Sequence, residues 1–135
     1  MPIYEFEGKR PVIAESAFIH PEAVIIGDVQ VGKESYIGPG AVLRGDTGRI
    51  IIGQGTSIQD NVVIHTYKDT CAIIEDNVLV GHSALVHGPC LIKEWAWIGQ
   101  GANVVGNSEV GTASVLAAGS VLPPGHSIPA QNSYG

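Results

Sequence analysis

An isoleucine, valine or leucine recurs every six residues along this chain, from Ile13 through Ile19, Ile25, Val31, Ile37 and Leu43. The register then slips by three residues and resumes at Ile52, Ile58 and Ile64. After a further slip of four it runs unbroken from Ile74 through Val80, Val86, Ile92, Ile98, Val104, Val110, Leu116, Leu122 and Ile128. Four residues after most anchors stands a small side chain: Ala17, Ala23, Val29, Ser35, Ala41, Thr47, Ala84, Cys90, Ala96, Ala102, Ser108, Ser114 and Ser120. Six residues are too few for a helix but suit a short strand and a corner. Alternation along the strand sends the anchor and the small residue inward and the residue after the anchor outward.

This pattern resembles the hexapeptide-repeat proteins, in which three hexads, 18 residues, make one turn of a left-handed coil. The hand comes from the resemblance, because parallel crossovers are otherwise right-handed. The expected fold is therefore all-β: a single-stranded left-handed parallel β-helix of about six coils. It forms one domain over 1–135, with a capping strand in 1–12 built on Ile3, Tyr4 and Phe6, coils over 13–130, and a short tail over 131–135. The register slips at Gly48 to Ile51 and Thr66 to Ile73 read as protruding loops, where functional residues tend to gather.

Composition narrows the chemistry. Eighteen glycines and eight prolines spread over 135 residues favour many tight turns over helices. A formal net charge of −6 offers no basic face, which argues against nucleic acid and anionic membrane as partners and for a small-molecule ligand. No apolar run approaches the ~20 residues of a membrane helix, and the first ten residues do not have the order of a signal peptide, so a cytoplasmic location is expected. Cys71 and Cys90 lack the spacing of a metal or redox pair, and Cys90 should be a buried free thiol. Trp95 and Trp97 fall at a corner and at an outward position.

Of the five histidines, His65 follows anchor Ile64 and His87 follows anchor Val86. Both therefore point outward from one face of consecutive coils, about 4.7–4.9 Å apart along the stack. His82, two residues after Val80, lies at the corner of a neighbouring face. Within one chain it does not reach the other two, but three prisms packed about a threefold axis would bring it to the stacked pair of the next subunit. Three neutral imidazoles and a water make the open tetrahedral site of a catalytic zinc, whose bound water has a pKa of roughly 7. Iron(II) or cobalt(II) would suit the same donors. His20 and His126 have no partners on this lattice.

Three motifs add specificity: Leu43-Arg44-Gly45-Asp46; Ile58-Gln59-Asp60-Asn61-Val62-Val63-Ile64-His65; and Val80-Gly81-His82-Ser83-Ala84-Leu85-Val86-His87-Gly88. With these the chain resembles the gamma-class carbonic anhydrases and their relatives over roughly residues 11 to 130. The resemblance implies a homotrimer that binds Zn2+ through His65 and His87 of one subunit and His82 of the next, and that interconverts carbon dioxide and bicarbonate. It also implies that Gln59 orients the water or carbon dioxide, and that Arg44, Asp46 and Asp60 form an interface network supporting the ligands. The chain departs from the family in three places. Thr47 stands where well-known members carry a glutamate. The loop after His65 offers Tyr67, Lys68 and Asp69 where they carry another acid. Gln131 to Gly135 stand where relatives continue into a C-terminal helix.

Three rivals share the prism. A hexapeptide acyltransferase needs one histidine base and a cleft for its acyl donor. An acyl-coenzyme A thioesterase could use the same metal site. A structural homologue would use the metal only to staple the trimer.

Overall fold

The structure, a computed structural model, describes residues 2–135; Met1, at the start of the predicted capping segment, lies outside them. Among the described residues there are nineteen strands and no helix, and every paired strand runs parallel to its partners. Strands pair with those one coil away. Ile25 aligns with Leu43, Ile74 with Ile92 and Ile92 with Val110, each 18 residues on. A seven-stranded sheet, from Phe18–Ile19 to Ser133–Tyr134, forms one side of the prism. A twelve-stranded sheet supplies the other two sides as two columns of rungs, joined through the long strands Val24–Val31 and Val42–Ile52. This is a left-handed parallel β-helix of hexapeptide repeats, with about seven turns.

The anchors fill its axis. From Ile25 to Ile128 every one of them is buried, while Ile13 and Ile19, in the first coil, are partly covered and pack against the core. Apolar burial on this scale is the main favourable term in the fold. Truncating one anchor, as in Ile98→Ala, is expected to cost about 2–5 kcal/mol, read as a lower denaturant midpoint. Inward polar groups are paired with main chain. Ser35 Oγ donates to Gly53 O at 2.6 Å and Thr56 Oγ1 to Glu75 O at 2.6 Å. A hydroxyl can thus occupy a core position without leaving its proton unpaired.

Both slips occur, but over shorter stretches than expected. The first does not interrupt its strand: Val42–Ile52 is continuous, and the extra residues form a bulge between the Gly27–Gly45 and Val29–Ile50 pairs. Ile50 and Ile51, expected in a loop, are already back in register. The second excursion takes only residues 66–70, since Cys71 again pairs with Arg49. The bulge also overturns the inward placement of Thr47: its extra residues reverse the alternation and leave Thr47 exposed, with Ile50 filling the core. At the other end, the short tail continues the lattice, Ser133 and Tyr134 pairing with Val115 and Leu116. The N-terminal strand Ile3–Tyr4 pairs with Ile25 and Ile26, and Phe6 closes a turn with Lys9. Trp95 occupies a corner at φ 65°, and Trp97 points outward.

Both cysteines are free thiols. Burial pushes the Cys90 thiol up to about 12, and burial also raises half-buried Cys71, against the opposing pull of Arg49. Native protein at pH 8 is therefore expected to leave Cys90 unalkylated by iodoacetamide and to label Cys71 slowly, with both reacting in denaturant, as read by intact mass. Because the folded-state pKa of Cys90 is raised, its contribution to stability is complete below the unfolded thiol's ordinary value. That contribution declines as pH rises from there towards about 12.

Candidate functional site

Strands Val63–His65 and Leu85–His87 lie side by side in one column, with His65 aligned to His87. Their side chains leave the coil on the same face because each follows a buried anchor. The imidazole centroids are 5.3 Å apart and the rings are nearly perpendicular, at 83°. The bulge brings a carboxylate to this pair. Asp46 Oδ1 lies 3.0 Å from His65 Nε2, while Asp46 Oδ2 accepts a hydrogen bond from Arg44 Nη1 at 2.7 Å. Burial by itself would raise the Asp46 carboxyl, but the bonds from Arg44 and His65 outweigh it and hold the group below its ordinary value.

These contacts decide the tautomers. Thr47 Oγ1 donates to Thr66 O at 3.1 Å and stands 3.3 Å from His65 Nε2. With a carboxylate and a hydroxyl oxygen both facing Nε2, a neutral His65 carries its proton there. His87 is arranged the other way. Its Nδ1 donates to Gly88 O at 2.7 Å, which leaves Nε2 as a lone-pair nitrogen.

The remaining residues singled out in the sequence lie elsewhere in the chain. His82 sits on a corner after Leu79–Val80 and is half exposed, with Nδ1 3.6 Å from Asp60 Oδ1. Gln59 shares with His82 a groove of about 380 Å³ that is also lined by Leu79, Trp97, Gln100 and Val115. The structure thus gathers Arg44, Asp46, His65 and His87 on one face, and Gln59, Asp60 and His82 on another. Among the described residues no three His, Cys, Asp or Glu side chains of one chain converge to hold a metal. The donors fit a zinc in part. His87 Nε2 is open, His65 Nε2 would first have to give up its proton and its bond to Asp46, and a third imidazole must come from another copy.

A cleft of about 600 Å³ opens beside the bulge, lined by Asp46, Thr47, Arg49, Lys68, Asp69 and Cys71 and closed by Phe6, Lys9 and Asp28. Lys9 and Arg49 both reach Asp28, at 3.6 and 3.3 Å. Reading by hexads missed this cleft and the role of Thr47, because the bulge that creates both lies off the six-residue lattice. Gly27 facing Gly45 was the available signal, a point where two backbones approach closely.

A prism of six-residue rungs carrying its polar groups on outward faces and at a bulge is the architecture of a hexapeptide-repeat protein. Comparison with known proteins agrees. The chain belongs to the hexapeptide-repeat transferase family, as its likeness over nearly its whole length to a hexapeptide transferase family protein shows, and residues 10–45 match the family described as "Bacterial transferase hexapeptide (six repeats)". A Bacillus cereus protein described provisionally as an acetyltransferase is 40% identical and superimposes with a TM-score of 0.95, over 98% of this chain and 77% of that one. A hexapeptide transferase family protein from Anaplasma phagocytophilum is 39% identical with a TM-score of 0.92, over 97% and 76%. The carnitine operon protein CaiE of Escherichia coli K12 is 46% identical over 125 residues, 93% of this chain. The chain spans 63% of the length of that curated relative. The family so defined is broader than the carbonic anhydrase class that the motifs resemble.

Proposed function

We propose that the chain transfers an acyl group from a thioester donor to an acceptor, with His87 as general base and the donor lying in the cleft beside Asp46. One observation carries this reading: an imidazole with its Nδ1–H tied to the backbone and its Nε2 free stands next to a His65–Asp46 pair whose carboxylate also lines a 600 Å³ cleft. The description of the Bacillus cereus relative supports it. In this scheme the acceptor hydroxyl or amine gives its proton to His87 Nε2 as its oxygen or nitrogen attacks the thioester carbonyl carbon. The carbon–sulfur bond then breaks, and the departing thiolate takes the proton back from the imidazolium, so that His87 ends neutral. Asp46 and Arg44 hold His65 beside it, where the imidazolium needs a fixed polar neighbour.

A second reading, hydration of carbon dioxide in a homotrimer, is favoured by the in-register placement of two imidazoles on consecutive coils and by the solvent exposure of His82 at its corner. His65, His87 and the neighbour's His82 would hold zinc, which supplies a nucleophilic water at neutral pH. For this chain's residues it means that His65 must lose the Nε2 proton now shared with Asp46, and that Gln59 would act across the interface.

The test is thiol release from acetyl-coenzyme A with panels of amine and hydroxyl acceptors, with and without chelator, alongside stopped-flow carbon dioxide hydration on the same sample. Acceptor-dependent, chelator-insensitive release is the result expected. Chelator-sensitive hydration without acyl transfer would replace the first reading with the second, and chelator-sensitive release without an acceptor would indicate thioester hydrolysis.

A further inference from the structure

Tyr67 stands in the 66–70 excursion, between His65 and the strand Cys71–Ile74. Its ring lies 4.5 Å from the His87 imidazole, tilted at 54°, although the residue is 58% exposed. Apolar burial does not account for a ring so placed. The loop beneath it is tightly braced. Thr70 bonds the Tyr67 carbonyl twice, through Oγ1 at 2.6 Å and through its backbone N–H at 3.1 Å. Thr66 Oγ1 lies 2.6 Å from Thr70 Oγ1, and Asp69 N–H donates to Thr47 O at 3.0 Å. Gly106 lies beside the ring: an added Cβ there would stand only 3.2 Å from Tyr67 Cε2, and 3.4 Å from Gly88 O, the acceptor of the His87 Nδ1–H. The loop and the glycine together fix where this ring can be.

We propose that Tyr67 is a positioning residue for His87. Its tilted ring packs against the imidazole, which His65 also meets edge-on, and with these two contacts His87 keeps Nδ1 on the Gly88 carbonyl, leaving Nε2 for the substrate. The contact is made by the aromatic face, so the phenol hydroxyl is dispensable. The functional weight of this role rests on the reading of His87 as base; the geometric role does not.

The test uses the protein labelled with 15N at histidine and compares Tyr67→Phe, Tyr67→Ala and Tyr67→Leu. Wild type and Tyr67→Phe are expected to show His87 as a single Nδ1–H tautomer. Tyr67→Ala should give mixed tautomers and a fall in kcat for thiol release of about 10- to 100-fold at little changed KM, by analogy with the loss of a group that orients a metal-ligating histidine. Tyr67→Leu, which keeps side-chain bulk but has no ring, should shift the same signals less and in the same direction, and it carries the test should Tyr67→Ala fail to fold. Unchanged His87 signals in folded Tyr67→Ala, or in Tyr67→Leu as its substitute, would overturn the proposal. If the tautomer follows Tyr67 while wild type releases no thiol, the positioning stands and the acyl-transfer reading fails. If wild type is active and the variants match it in both readouts, the positioning fails and the reaction stands.

Discussion

Replacing His87 with alanine is expected to lower thiol release by about 10²- to 10⁴-fold, the usual contribution of a positioned general base, with the thermal midpoint close to that of wild type. The two effects separate because His87 projects from the coil after Val86, and Val86 alone of the two occupies the core. His87→Gln is the sharper control. It keeps the size and polarity of the side chain but has no nitrogen able to take a proton, so it should be as inactive as alanine. His87→Ala and His82→Ala together discriminate the readings of the site. If zinc content measured on purified protein falls with His87→Ala, and falls as far with His82→Ala at the neighbouring corner, the metal reading gains. A loss of turnover confined to His87 and its neighbours, with His82→Ala active, supports acyl transfer within one chain's face.

A second large effect is expected from Gly45→Ala, which should cost on the order of 3 kcal/mol, the upper part of the range for overpacking, and lower the melting midpoint by about 10 °C. A Cβ on Gly45 would lie 2.5 Å from the carbonyl oxygen of Asp28, against backbone that cannot rotate away as a side chain would. Gly27, its partner in the pair preceding the bulge, sits at φ 77° and is equally closed, with Gly45 O 2.3 Å from the place of its Cβ. Relief must come from spreading two coils. That moves Arg44 and Asp46, the residues on either side of Gly45, so the His65 bond should weaken along with the fold. Activity falling in step with stability in Gly45→Ala, but independently of it in His87→Ala, would separate the bulge's structural part from the chemistry of the base.

Much of this architecture was legible in the sequence for a simple reason: a coil that closes on itself repeats the same inward requirement every six residues, so Ile74 through Ile128 announce their burial one by one. The outward neighbours of the anchors were legible for the same reason, and the register that puts His65 beside His87 follows from it. Legibility ended where the lattice was broken. Thr47 fits the small-residue position by counting, yet the bulge that starts after Gly45 reverses which side of the strand faces the core. Tyr67 had no lattice position at all. Its contact with His87 depends on the threonine bonds inside the loop and on the space left by Gly106, which lies 39 residues away in sequence. The cleft at Asp46 has the same origin, since it is the room opened by residues that do not pair.

The two excursions leave and rejoin the coil at hydrogen-bonded rungs, so each added segment is closed at both ends by contacts that do not depend on its length. A flexible insertion at such a point would add only about 0.6 kcal/mol in closure entropy for each doubling of its length, and no core anchor would change its partner. Selection can therefore lengthen, shorten or recharge the rim around His65 and His87 without renegotiating the interior, whereas the anchors are bound to their spacing. A scaffold built this way is conservative along its axis and permissive at its edges, which suits a lineage whose members keep one shape while their chemistry diverges.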